Sequence, residues 1–212
     1  MSIIDRILGG SSEKQIMDRG KKIIEHAVAA NKVLVKIIKG SKDLDEIKRL
    51  ERLPDNEVFE ISNSITSGAV APNLIDDMIR FIDMEDSIVD TIFNLSRAIV
   101  RYKGKNRKVN KYITENLLSL TDLIDSGLVL LREMHNADTV AEAQKIRQRI
   151  EVVEQNGDEI KDAMLDYAFE SKDLDFRSFY YVQSAAYLAD DILDGCEDTS
   201  DMILSIMRGI LT

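Results

Sequence analysis

Four pairs of acidic side chains stand four residues apart in this chain: Glu51 and Asp55, Asp86 and Asp90, Glu154 and Asp158, and Asp190 and Asp194. In a helix that spacing puts both carboxylates on one face, a single turn apart. Like charges so placed destabilise a helix by about 0.2–0.5 kcal/mol per pair unless a cation offsets them. Two antiparallel helices that each carry such a pair would present four carboxylates together, an oxygen-rich setting that suits hard cations. The competing reading is a solvated acidic face, because a chain with 38 Asp and Glu forms several such pairs by chance.

Recurrence separates the two readings. Ile47, Leu50, Glu51 and Asp55 return as Ile150, Val153, Glu154 and Asp158 at an offset of 103. Met84, Asp86, Ile88, Val89 and Asp90 return as Leu188, Asp190, Ile192, Leu193 and Asp194 at an offset of 104. Even Pro54 and Gly157, both helix-perturbing residues, fall at corresponding positions. Two independent segments sharing nearly one offset point to an internal duplication of about 100 residues. We place a first repeat at 13–103 and a second at 108–211, together forming one compact domain.

The elements that must position these acids are helices throughout. Ile16, Ile23, Ala27, Leu34 and Ile37 recur at helical spacing and define a first helix that ends near Gly40. A second is expected over about 43–65, and Pro72 is suited to opening a third that carries Met78, Phe81, Ile88, Ile92 and Ile99. A linker at 103–108 precedes a fourth helix with Ile113, Leu117, Ile124 and Leu131. The fifth follows Asn136, Ala137 and Asp138 and reaches about 171; the sixth covers roughly 175–210. No run alternates as a strand does, so the fold class is all-α: six helices in two tandem three-helix repeats. On a helical wheel Asp190 and Asp194 lie opposite the stripe of Ile192, Cys196 and Ile203, where a solvated face belongs. Asp86 instead shares its sector with Ile75, Ile79 and Phe93, where a free carboxylate is costly.

Composition narrows the function. With 28 Lys and Arg against 38 Asp and Glu the net charge is −10, which repels nucleic acid and favours cations or basic partners. The lone Cys196 excludes an internal disulfide and fits a reducing, cytoplasmic setting; its place on the apolar stripe makes it a core residue. The first ten residues lack the apolar run of a signal peptide, and no stretch approaches a membrane span, so membrane association is expected only through a partner. His26 and His135 lack the Glu-x-x-His spacing of a ferritin-like di-iron site and read as surface or packing residues. No Ser/His/Asp or Cys/His set suggests nucleophilic catalysis. Asp190, Asp191 and Asp194 spell the DDxxD of isoprenyl-diphosphate enzymes, which leaves an all-α, Mg²⁺-dependent enzyme acting on a diphosphate as the alternative. Glu151, Glu154, Glu170 and Asp173 mimic the two-part signature of all-α nucleotide pyrophosphatases. Both parts fall on one helix, about 28 Å apart, too far to share a metal. Arg97, Arg101, Lys103, Lys105, Arg107, Lys108 and Lys111 form a basic run around the linker. It is either a solvated loop or a contact for an acidic partner or anionic lipid.

The segment Leu193-Asp-Gly-Cys196-Glu197-Asp198-Thr199 resembles the Asp-x-Cys-Glu-Asp ending of the PhoU-like proteins, a family of phosphate transport regulators. Glu154-x-x-x-Asp158, the Ala-Phe169-Glu170 ending of that helix, and Asp86-Ser-Ile-Val-Asp90 match the same pattern in the same order. The resemblance implies a PhoU-like six-helix bundle and a non-enzymatic, metal-binding regulator of inorganic phosphate transport. Its target would be a phosphate permease or an associated signalling protein. It carries metal-ligand roles to Glu51, Asp55, Asp86, Asp90, Glu154, Asp158, Asp190 and Asp194, with Asp198 as a further candidate. The implied cofactors are transition-metal ions, in a multinuclear iron cluster or as zinc or nickel, and the chain is expected to form a homo-oligomer. Ser87, where the family has a second Asp, and Pro54, within the Glu51/Asp55 pair, depart from the pattern.

Overall fold

The all-α reading holds in the computed structural model, which describes residues 12–68, 70–103, 110–172 and 174–210. Helix α1 spans Ser12–Ile38, α2 Asp45–Glu51 and α3 Pro54–Thr66; a 3₁₀ turn at Pro72–Leu74 leads into α4, Ile75–Lys103. The second half comprises α5 (Lys111–Met134), α6 (Val140–Glu170) and α7 (Phe176–Ile210).

The second helix, expected unbroken over 43–65, is interrupted at Arg52 and Leu53. Pro54 is the reason. It has no N–H to give and its ring clashes with the carbonyl four residues back, but it is at ease in the first position of a new helix. One helix therefore stops and another restarts at the proline. Elsewhere side chains set the ends. Asn110 accepts from the amide of Tyr112 (2.9 Å) at the start of α5. Thr139 accepts from the amide of Glu142 (3.1 Å) at the start of α6, while the Glu142 carboxylate reaches back to the amide of Asp138 (2.8 Å).

Helices α1, α4, α5 and α7 form the interior: α1 packs on α4, α4 on α7, α7 on α5, and α5 back on α1. The α2–α3 pair lies against α1 and α4, and α6 against α5 and α7. Each half thus supplies two inner helices and one outer layer, the arrangement expected of a duplicated three-helix unit. One apolar cluster runs through both halves and includes the fully buried Ile23, Leu34, Phe81, Ile92, Leu128, Cys196 and Ile203. A Cβ on Gly195 of α7 would lie 3.0 Å from Ile88 of α4, so these two helices meet closely at their middles.

Two polar groups tie the halves inside this core. Asn31 of α1 donates to the Thr121 carbonyl of α5 at 3.0 Å. His135, just past α5, meets Glu85 of α4 with Nε2 2.7 Å from Oε1, and neither side chain is more than 1% exposed. Burial pushes the Glu85 carboxyl up in pKa, and the histidine works against that rise. His135 is therefore half of a buried pair and not a surface residue.

The basic run divides. Residues 104–109, which include Lys105, Arg107 and Lys108, lie outside the described residues. Lys103 is no loop residue: it closes α4, and its ammonium donates to the carbonyls of Ile37 (3.1 Å) and Ile38 (2.6 Å) at the end of α1. Cationic groups at a helix C-terminus satisfy orphan carbonyls and complement the dipole. Lys103→Ala should consequently cost about 1 kcal/mol, read as a fall of about 2–4 °C in the melting temperature of a chain this size. A melting temperature equal to that of the parent protein would return Lys103 to a solvated role.

Candidate metal centre

Helices α6 and α7 run antiparallel, and a glycine lets them touch where the acids are. A Cβ on Gly157 would lie 2.2 Å from Leu193 Cδ1, so any larger residue there would have to push the end of the Leu193 side chain aside. Glu154 and Asp158 flank Gly157, and Asp190 and Asp194 flank Leu193, so close approach at the centre brings both acid pairs together.

At the centre of these acids stands a cation from the chain itself. Lys161 Nζ donates to Asp158 Oδ1, and it lies 2.9 Å from Asp190 Oδ2. Burial opposes the lysine's charge, but its hydrogen bonds to Asp158 and Asp190 outweigh that and hold its pKa above the ordinary lysine value. The same hydrogen bond from Lys161 draws Asp158 below the usual carboxylate range. Asp190 is raised, first by burial, with Lys161 working against the rise. Glu154 is raised too, by burial and then by the charges of Asp158 and Glu197. Asp190 is only 6% exposed, so the solvated face read from the wheel is wrong for this residue: α6 covers that side of α7. Its Oδ1 is enclosed with no hydrogen-bond partner.

Asp198 is exposed, and its charge adds to the rise of the Asp194 carboxyl, which is due first to burial. Asp198 lines an open groove between α4 and α7 with Arg80, Asp83, Asp191 and Asp194. Glu197 is the α7 acid that joins the α6 face, where Arg147 binds it at 3.1 Å together with Asp201 at 2.7 Å. Lys161 was not singled out from the sequence, and Glu197 entered only as a member of the Asp-x-Cys-Glu-Asp segment, yet a spacing signal exists for both. Glu154, Asp158 and Lys161 step by four and then three along α6, as Asp190, Asp194 and Glu197 do along α7.

The first half assembles the equivalent acids without the lysine. Asp86 is half-buried, and its carboxyl is pushed up to about 6 by burial and then by the charges of Asp90, Asp55, Asp83 and Glu51. Asp90 is raised by burial and by Asp55. Although Pro54 leaves Glu51 at the end of α2 and Asp55 in the first turn of α3, both still sense Asp86 across the helix interface. By the repeat offsets, the positions of Lys161 and Glu197 are held here by Val58 and Phe93. None of Glu51, Asp55, Asp86 and Asp90 has an ion-pair partner among the described residues.

An all-carboxylate set of this kind fits a hard cation in its chemistry. Among the described residues no three Asp, Glu, His or Cys donors are drawn together at metal-binding spacing. An ion in the first half would be met by rotation of side chains that no cation among the described residues holds in place. In the second half it would have to displace Lys161.

The architecture is that of the PhoU-like proteins. A crystal structure of a PhoU-like protein from Shewanella oneidensis MR-1 aligns with a TM-score of 0.78, at 12% identity, over 92% of this chain and 99% of that one. A second structure from the same organism, bearing the name of a PhoU-like phosphate regulatory protein, aligns at 0.66 with 14% identity over 94% and 97% of the two chains. In sequence, the chain is 22% identical over 230 residues to a UPF0111 protein of Pyrococcus horikoshii, spanning 98% of both. No family model matches the chain.

The first-half cluster makes a prediction about pH. The Asp86 carboxyl, at about 6 when folded and 3.8 ordinarily, binds its proton more tightly in the native state. Its contribution to stability is therefore complete below pH 4 and is lost as pH rises through 6. Asp86→Asn removes that ionisation. In metal-free protein it should raise stability at pH 8 by about 1 kcal/mol, well below the linkage maximum because the group is half-exposed. The difference should shrink toward zero at pH 4. Chemical denaturation at the two pH values checks this; an equal effect at both would remove the crowding of charge as its cause.

Proposed function

We propose that this chain is a non-enzymatic, metal-binding regulator of inorganic phosphate transport, acting on a phosphate permease or its signalling partner. The PhoU-like fold and the name of one solved relative support the process. The observation that carries the metal is the first-half set of Glu51, Asp55, Asp86 and Asp90, gathered from α2, α3 and α4 without a counter-cation among the described residues. The second-half set of Glu154, Asp158, Asp190 and Asp194 is held in the same arrangement by Lys161 and takes an ion only when that lysine swings away. Asp198, on the groove side of α7, is at most an outer contributor. The donors are carboxylate oxygens alone, which suit hard cations, and the implied metals stay iron, zinc or nickel.

The diphosphate-enzyme reading loses its support in the way DDxxD is split. Asp190 turns into the α6 interface toward Lys161, while Asp191 lines the groove on the α4 side. Those two carboxylates do not face one substrate. The acids of the first half are open at the bundle surface, with Asp55 and Asp90 exposed, as a surface that meets a partner requires. The partner would be reached from the cytoplasm, and no helix among the described residues is long and apolar enough to cross a membrane. A homo-oligomer would add further copies of the same surface.

Elemental analysis of protein purified without a metal-affinity tag tests the reading. The parent protein should retain transition metal, and Asp86→Asn/Asp90→Asn should lose most of it. Asp190→Asn/Asp194→Asn should lose less. In its host, loss of the chain should change phosphate uptake, with restoration by the parent protein and not by the Asp86/Asp90 variant. Near-zero metal in all three proteins would return the acids to a solvated face.

A further inference from the structure

At one end of the bundle a groove of about 610 Å³ opens between α4 and α7. Its walls carry Arg97 and Arg101 from α4, Arg177 from α7, and the tyrosines Tyr102, Tyr180 and Tyr181. Three observations set it apart. None of the three guanidinium groups has a carboxylate partner among the described residues, in a chain with ten more acids than bases. Arg177 stands in the first turn of α7, where the Asp175 carboxylate already caps the helix by accepting from the Ser178 amide at 2.7 Å. Arg97 is steadied by the Phe93 ring, 5.4 Å away. Tyr181 is 5% exposed and stacks on Tyr102 at 4.0 Å, and its buried hydroxyl has no hydrogen-bond partner.

We infer that this groove binds a nucleoside di- or triphosphate. Three guanidinium forks suit a chain of phosphates, because each donates in pairs to the oxygens of an anion. The stacked rings of Tyr102 and Tyr181 form an aromatic wall of the groove. Tyr180 is 63% exposed on the rim and offers a face on which a base can stack. The volume lies within the range of small-molecule sites. None of the acids of the two carboxylate clusters lines this groove, so the site stands apart from the metal proposal and neither rests on the other.

Isothermal titration calorimetry in EDTA, with ATP, ADP, pyrophosphate and inorganic phosphate as separate titrants, tests the assignment without any metal at the clusters. ATP should bind, and Arg97→Gln/Arg177→Gln should weaken it at least tenfold. Tyr180→Ala should weaken ATP about fivefold and leave pyrophosphate unchanged. Arg97, Arg177 and Tyr180 are all exposed, and an unchanged circular dichroism spectrum checks that the variants fold. Absence of ATP binding up to 1 mM, or binding that survives the double arginine change, would overturn the site. Pyrophosphate binding as tightly as ATP, with no effect of Tyr180→Ala, would overturn the nucleotide assignment.

Discussion

Carboxylates gathered on touching helices must be compensated or must keep their protons, and the two halves of this molecule meet that constraint differently. In the second half a lysine does it. Lys161 lies one turn beyond Asp158 on α6 and reaches Asp190 across the interface, so the helix pair is held by an ionic bridge made within the chain. In the first half the same acids face one another with an apolar residue, Val58, where the ammonium would be. Burial and then the repulsion between them raise Asp86, whose carboxyl holds its proton to about pH 6. A duplicated unit has thus kept its acids in both copies while filling only one of them with its own charge.

The scaffold makes this contrast possible because it holds both helix pairs in one geometry. Four inner helices share one apolar core, and each outer layer is pressed against two of them. Gly157 sets how near α6 comes to α7, and hence how near Lys161 comes to Asp190. Polar ties buried between the halves, Glu85 with His135 and Asn31 with Thr121, fix one half against the other, because a buried polar group separated from its partner is costly. The carboxylates are then held on a fixed helical frame. An ion arriving there would be met by side-chain rotation, not by repacking of helices.

Much of this was legible in the sequence. The spacing of apolar residues gave the helices, and the common offset of two acidic segments gave the duplication and the four pairs that the fold brings together. Where the reading failed, the cause was tertiary. A wheel drawn for α7 alone cannot know that α6 covers Asp190, so it assigned that face to solvent. A basic run counted along the chain cannot show that Lys103 caps α1 while Arg97 and Arg101 turn into a groove. Pro54 was visible as a departure, but not its consequence, a helix stopped and restarted with both acids still facing Asp86. Lys161 was missed because attention stayed on acids; the spacing of four and then three that they share with it would have found it.

The central claim is that a cation belongs in the first-half cluster and that Lys161 takes its place in the second. Anomalous diffraction from crystals grown with iron or manganese locates such ions directly. The account predicts anomalous density among Glu51, Asp55, Asp86 and Asp90, with Lys161 still bound to Asp158 and Asp190 and no ion beside it. Density between Asp158 and Asp190 with the lysine displaced, and none at Asp86, would contradict it.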